Sequence, residues 1–194
     1  MPKRKRGVTE AKRVERLGYE RLAVLFQLHL RWRIGELATE KGIADFVVTP
    51  PHVTPTFENS SEGLVVELKA SADQRAPNFV GADKTESAEE GGEEGGRDRS
   101  SLAEAKKHAD AMLFFHFNEF HFNCSCIFDK FSIFIVPLFG EKHLEFLAKK
   151  ENGEERKGIY SLDVLRKKGY KEFTSRNFVS LSKELGSLYS MKNR

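Results

Sequence analysis

Apolar and polar positions change period several times along the chain, and each change predicts an element. Between Val8 and Gln27 the apolar residues Ala11, Val14, Leu17, Leu22, Leu25 and Phe26 recur three and four apart, the spacing of an amphipathic helix, with Gly18 as a point of bending. Leu28 to Ile34 then alternates apolar and polar residues, which predicts a strand with one buried face and His29, Arg31 and Arg33 on its open face. Gly42 to Val48 is a second apolar run, interrupted by Asp45. Gly63 to Lys69 is a third, after a proline-containing connection over Thr49 to Ser61. Ser101-Leu102-Ala103-Glu104 is a capping box opening a helix to about Ala109. Met112 to Phe117, Phe120 to Cys126 and Phe131 to Phe139 read as core strands rich in phenylalanine.

These patterns predict an α/β protein in which helices flank a mixed central sheet. Residues 1–7 form a flexible basic arm, residues 8–139 the core, and residues 140–194 a basic, helical C-terminal extension. The extension contains helices at His143 to Lys150 and at Ser161 to Lys168, with Ser161 as cap, and a tail from Lys183 to Arg194. Residues 71–100 carry paired glycines and paired glutamates with almost nothing to bury, so a disordered insertion is expected there.

Composition sharpens the picture only through its distribution. The net charge is +3, yet residues 1–33 hold ten Lys and Arg against three Glu, and residues 141–194 hold thirteen against eight acids. Basic ends around an acidic middle suit a chain that meets a polyanion, because neutralised phosphates supply most non-specific nucleic-acid affinity. Lys3, Arg4, Lys5, Arg6, Arg31 and Arg33 are the candidate DNA contacts. No run of about 18 apolar residues and no charged-then-apolar leader is present, so an intracellular, cytoplasmic protein without a membrane span is expected, with a nuclear address in KRKR left open.

The candidate chemistry lies in the third run. In a strand, Glu67 and Lys69 project to one face while Val66 and Leu68 enter the opposite layer. A carboxylate that holds a divalent cation beside an ammonium that orients an attacking water is suited to hydrolysing a phosphodiester. Asp45, one strand earlier, is a charge inside an apolar run and needs a partner, a metal or solvent. His116, His121, Cys124 and Cys126 are of zinc-ligand type, but strand alternation sets His121 opposite the two cysteines, and buried thiols are the expected state.

The segments GIADFVV and GLVVELKAS, preceded by a helix carrying Gly18-Tyr19-Glu20-Arg21, resemble the PD-(D/E)xK nuclease superfamily of restriction endonucleases and archaeal Holliday junction resolvases, with Ala44 where that family often has proline. The resemblance spans about residues 8–117 and implies an αβββαβ core. It further implies that Asp45 and Glu67 hold Mg²⁺ or Mn²⁺, that Lys69 positions the water, and that Glu20 or Glu15 completes the metal site from the helix. The function implied is a DNA endonuclease, restriction-type or junction-type, acting as a homodimer because two strands call for two sites. A non-catalytic nucleic-acid-binding subunit with a nuclease-like fold is the alternative, and an RNA substrate is a third reading.

Overall fold

In the computed structural model, which describes residues 6–36, 46–53, 63–72, 78–80, 109–118, 130–139 and 159–194, the N-terminal amphipathic period becomes a single helix, α1 (Arg6–Leu25). Gly18 lies inside it at the closest approach to the sheet, where an added Cβ would stand 2.8 Å from Ala70 Cβ. The glycine is there to let the helix backbone lie against β3, described below.

The alternating segment 28–34 is not the strand its period predicts. Phe26–Leu30 forms a π-helical turn, Arg31 takes a left-handed conformation at φ 59°, and the strand β1 starts only at Arg33 and runs to Glu36. The reason lies in which apolar residues are buried. Phe26 and Leu30, four apart, enter the core, whereas Leu28 is 62% exposed. Helical spacing therefore governs until Arg31 reverses the chain and Trp32 re-enters the core.

The following strands are β2 (Phe46–Thr49), β3 (Leu64–Ser71), β4 (Asn78–Val80), β5 (Ala111–Phe117), β6 (Phe131–Pro137) and β7 (Ile159–Ser161). With β1, four of them form a five-stranded mixed sheet in the order β1-β2-β3-β5-β6, antiparallel throughout except for the parallel pair β3 and β5, while β4 and β7 form a separate two-stranded ribbon. A parallel pair requires a long crossover, which residues 72–110 supply. That crossover includes the segment expected to be an unstructured insertion, and Asn78–Val80 within it pairs with Ile159–Ser161 as a strand instead. Residues 42–45, 101–108, 119–129 and 140–158, with the elements expected there, lie outside the described residues.

Two layers of core flank the sheet. On one face Leu22, Leu25 and Phe26 pack with Leu64, Val66, Leu68, Phe115 and Phe117, and with Leu181, Leu185 and Leu188 of the C-terminal helix α3 (Leu181–Lys192). The expected tail from Lys183 is thus a helix with buried leucines, further tied by Trp32 Nε1 donating to Ser182 Oγ at 2.9 Å. On the other face Met112, Phe114, Phe134 and Val136 meet Leu162 and Leu165 of α2 (Leu162–Lys167). Ser161, expected to cap that helix, is the last residue of β7 and directly precedes Leu162. Phe26, Phe46, Phe114, Phe115, Phe117, Phe134, Phe173 and Phe178 are all below 2% exposed, each contributing about 1.5–3 kcal/mol of transfer energy.

β5 has a core on both faces, which explains why AMLFFHF does not alternate. The outer edge of β6 is closed by a bridge in which Ile133 and Phe173 exchange backbone hydrogen bonds of 2.8 Å. The molecule is a mixed α/β protein, and among the described residues no helix is long and apolar enough to cross a membrane.

Candidate functional site

β3 is where the sheet changes from antiparallel to parallel pairing, and its alternation sorts its side chains as expected. Leu64, Val66 and Leu68 enter the α1 layer, while Val65 packs in the α2 layer. Glu67 and Lys69 share the latter face. Lys69 Nζ donates to Glu67 Oε1 at 2.6 Å, and the two side chains retain only 12% and 11% of their exposure. Their β5 register partners are Met112 and Phe114, so the pair is flanked on that side by apolar residues, which strengthen its electrostatics. Desolvating two charges costs about as much as their attraction returns, so stability alone does not explain such a pair.

The chemistry of the donor set fits a hard divalent cation. An ionised carboxylate presents two oxygens with about four lone-pair sites, a hard donor group. Mg²⁺ is commonly held by one or two carboxylates, with waters and substrate phosphates completing its shell. Among the described residues no group of three or more His, Cys, Asp or Glu converges, so a full protein cage is not formed by them.

Asp45 lies outside the described residues, as do Lys3, Arg4, Lys5, His121, Cys124 and Cys126. The sequence neighbour of Asp45, Phe46, pairs with Val66, the sequence neighbour of Glu67. Glu20 sits on the exposed side of α1 and accepts from Arg16 Nε at 3.2 Å, one turn away, with 56% of its side chain exposed. Glu15 is half-buried on the same helix. The structure thus brings Glu67 and Lys69 together and leaves Glu20 in a surface pair. Arg6 opens α1, and Arg31 and Arg33 are exposed on either side of the chain reversal at Trp32.

Three groups not singled out by the sequence support this face. Asp110 Oδ2 accepts from the Val65 backbone N–H at 2.8 Å and from Lys192 Nζ at 2.7 Å, and the same ammonium donates to the Gly63 carbonyl at 2.6 Å. The start of the Glu67 strand is therefore fastened to β5 and to the end of α3. Gly63 belongs to this junction, because a Cβ there would collide with Val47 Cγ1 and stand 2.8 Å from the Val48 carbonyl. The only signal in the sequence was an acid immediately before an apolar run.

Glu172 forms the second group. Arg166 donates to both of its oxygens at 2.7 Å and Ser132 Oγ donates to Oε1 at 2.6 Å. The Arg166 hydrogen bonds hold the Glu172 carboxyl below the usual carboxylate range, against its partial burial, and Arg166 is correspondingly raised.

The third is a cavity of about 490 Å³ at the end of β5 and the start of β6, lined by His116, Lys130, Ser132, Thr174, Ser175 and Arg176 among others. No single stretch of sequence announces it, because its walls come from three separate segments.

Compared with known proteins, the chain matches no family model, no curated protein and no solved structure.

Proposed function

We propose that the chain is a Mg²⁺-dependent DNA endonuclease of the PD-(D/E)xK type, working as a homodimer. The observation that carries the reading is the buried Lys69–Glu67 contact of 2.6 Å on the strand whose Val66 pairs with Phe46. Further support is the order of elements: a helix, an antiparallel three-strand meander, and then a strand parallel to the third. This is the order that an αβββαβ core requires around its crossover.

In this reading Asp45 and Glu67 hold the cation, Mg²⁺ or Mn²⁺, which when bound supplies positive charge for the phosphodiester oxygens and eases deprotonation of an attacking water. Lys69 does two things through one ammonium. Its bond to Glu67 Oε1 fixes the carboxylate rotamer, and its positive charge orients the water and offsets charge developing on the phosphate. The apolar neighbours Met112 and Phe114 exclude water from the back of the pair, which strengthens each interaction. Glu20 is given no step, since it is engaged by Arg16 on the exposed side of α1.

The test is cleavage of plasmid and branched DNA with Mg²⁺ by wild type, Asp45→Ala and Lys69→Ala. Loss of at least a hundredfold in both variants is expected, about 2.7 kcal/mol in the barrier. Equal activity in all three overturns the assignment. DNA affinity that falls steeply with salt, with no cleavage and no Mg²⁺ or Mn²⁺ binding by calorimetry, would instead identify a non-catalytic binding subunit.

A further inference from the structure

We propose that the cavity lined by His116, Lys130, Ser132 and Arg176 is a phosphate subsite that holds the backbone of a nucleic acid on the same sheet face as Glu67 and Lys69. The inference deepens the endonuclease reading and rests on it for the identity of the polyanion. Three observations carry it.

The first is chemical. Lys130 and Arg176 bring two cations to one cavity of about 490 Å³, His116 adds an imidazole and Ser175 a hydroxyl, while the hydroxyls of Ser132 and Thr174 donate to Glu172 and Asn177. No carboxylate among the described residues lines it. Among the described residues, the acid that bonds a lining residue is Glu172, whose charge is paired with Arg166. What remains is a concave site with two cations and the Ser175 hydroxyl, a composition that suits phosphate oxygens.

The second is that the site is built rather than draped. The turn that carries Ser175 and Arg176 is pinned by Thr174 N–H donating to Asn177 Oδ1 at 2.6 Å, by Arg176 N–H donating to Thr174 Oγ1 at 3.3 Å, and by Asn177 Nδ2 donating to the Glu172 carbonyl at 2.9 Å. The backbone bridge between Phe173 and Ile133 then fixes that turn against β6. Arg176 is presented without the ordering cost of a free loop.

The third is position. In the sheet register Lys69 lies opposite Phe114, Ser71 opposite His116, and His116 opposite Ser132. These positions follow the alternation of Glu67, so the cavity continues the same face two residues further along. Two residues along a strand and one strand across place the Cα atoms of Lys69 and His116 about 8 Å apart. At about 3.4 Å of rise per nucleotide, one strand would reach from the acid–lysine pair to the cavity within two or three phosphates.

The experiment is fluorescence anisotropy of a labelled short DNA duplex titrated with the full chain in EDTA, where cleavage is absent, over a range of NaCl concentrations. Lys130→Gln/Arg176→Gln should bind about tenfold more weakly, with a log–log salt slope shallower by about two, one for each lost phosphate contact. Lys167→Gln/Lys183→Gln removes the same charge from exposed positions elsewhere and should keep the slope. Lys130→Arg/Arg176→Lys should restore the affinity. Lys130 and Arg176 are exposed, so the melting temperature of the pocket variant should match wild type.

Unchanged affinity and slope in the pocket variant overturn the inference, as does equal weakening by both charge-removing pairs or the absence of DNA binding by wild type. A calorimetric arm with pyrophosphate separates the two sources of the same chemistry. Pyrophosphate binding that depends on Lys130 and Arg176, with DNA binding unaltered, would assign the cavity to a small phosphorylated ligand and overturn the nucleic-acid source. Pocket-dependent DNA binding without Mg²⁺-dependent cleavage would sink the catalytic reading and leave this one standing. Cleavage with pocket-independent binding would do the reverse.

Discussion

The two faces of the five-stranded sheet carry opposite assignments. The face covered by α1 and α3 buries a continuous apolar layer from Leu22 through Phe115 to Leu188. The opposite face is covered by the short helix α2, and beside its smaller apolar cluster it holds Glu67, Lys69, Ser71, His116 and Ser132. Adjacent residues of one strand thus serve different ends, Val66 and Leu68 for cohesion and Glu67 and Lys69 for charge. The contrast teaches that strand alternation separates an apolar layer from a charged one at a spacing of a single residue. It also explains why charges can be held nearly buried, since the apolar layer behind them supplies the stability that a desolvated ion pair does not.

The comparison breaks most visibly at its apolar side. Phe115→Ala should cost about 3–5 kcal/mol, and Leu185→Ala in α3 about 2–5 kcal/mol, by urea unfolding. A cost near zero at Leu185 would detach the C-terminal helix from the core. On the charged face, Lys69→Met should destabilise by about 1.5–3 kcal/mol because it removes the ammonium bonded to the nearly buried Glu67 carboxylate, and Glu67→Gln/Lys69→Met should recover at least half of that. A double variant no better than Lys69→Met would show that the pair is not the unit described here.

Gly18→Val should cost about 1–3 kcal/mol through overpacking against Ala70, seen as a melting temperature lower by about 2–4 °C per kcal/mol. Glu172→Gln should cost about 1–2 kcal/mol near neutral pH, a range reduced for the partial exposure of Arg166. Because the folded carboxyl is held low, its contribution is present above the ordinary carboxylate range and disappears as pH falls through the folded value. Melting curves of wild type and Glu172→Gln should therefore converge in acid; a constant gap would contradict the ion pair. Glu20→Gln should change stability by no more than about 0.5 kcal/mol, as expected for an exposed pair within one helix.

Parts of this arrangement were legible in the sequence. The spacing of Val14, Leu17, Leu22 and Leu25 described α1, and the runs at 63–69, 112–117 and 131–139 described β3, β5 and β6, because one-sided or complete burial writes its own period. The meeting of Glu67 and Lys69 was legible for the same reason, since i and i+2 share a face of any strand. The segment 28–34 misled because apolar residues two apart satisfy a strand period while Phe26 and Leu30, four apart, are the ones buried. Asn78–Val80 carried no period long enough to read, and its partner strand comes from Ile159–Ser161, far along the chain.

By itself the sequence determined which residues alternate, which recur with helical spacing, and that an acid and a lysine share a strand face, because these follow from backbone geometry over a few residues. Only the tertiary structure decided how deeply that pair is buried, that Lys192 and Asp110 fasten the strand carrying it, and that Lys130, Ser132 and Arg176 meet around one cavity. Those facts depend on contacts between segments distant in the chain, and the free energy that selects them belongs to the packing of the whole sheet rather than to any local stretch.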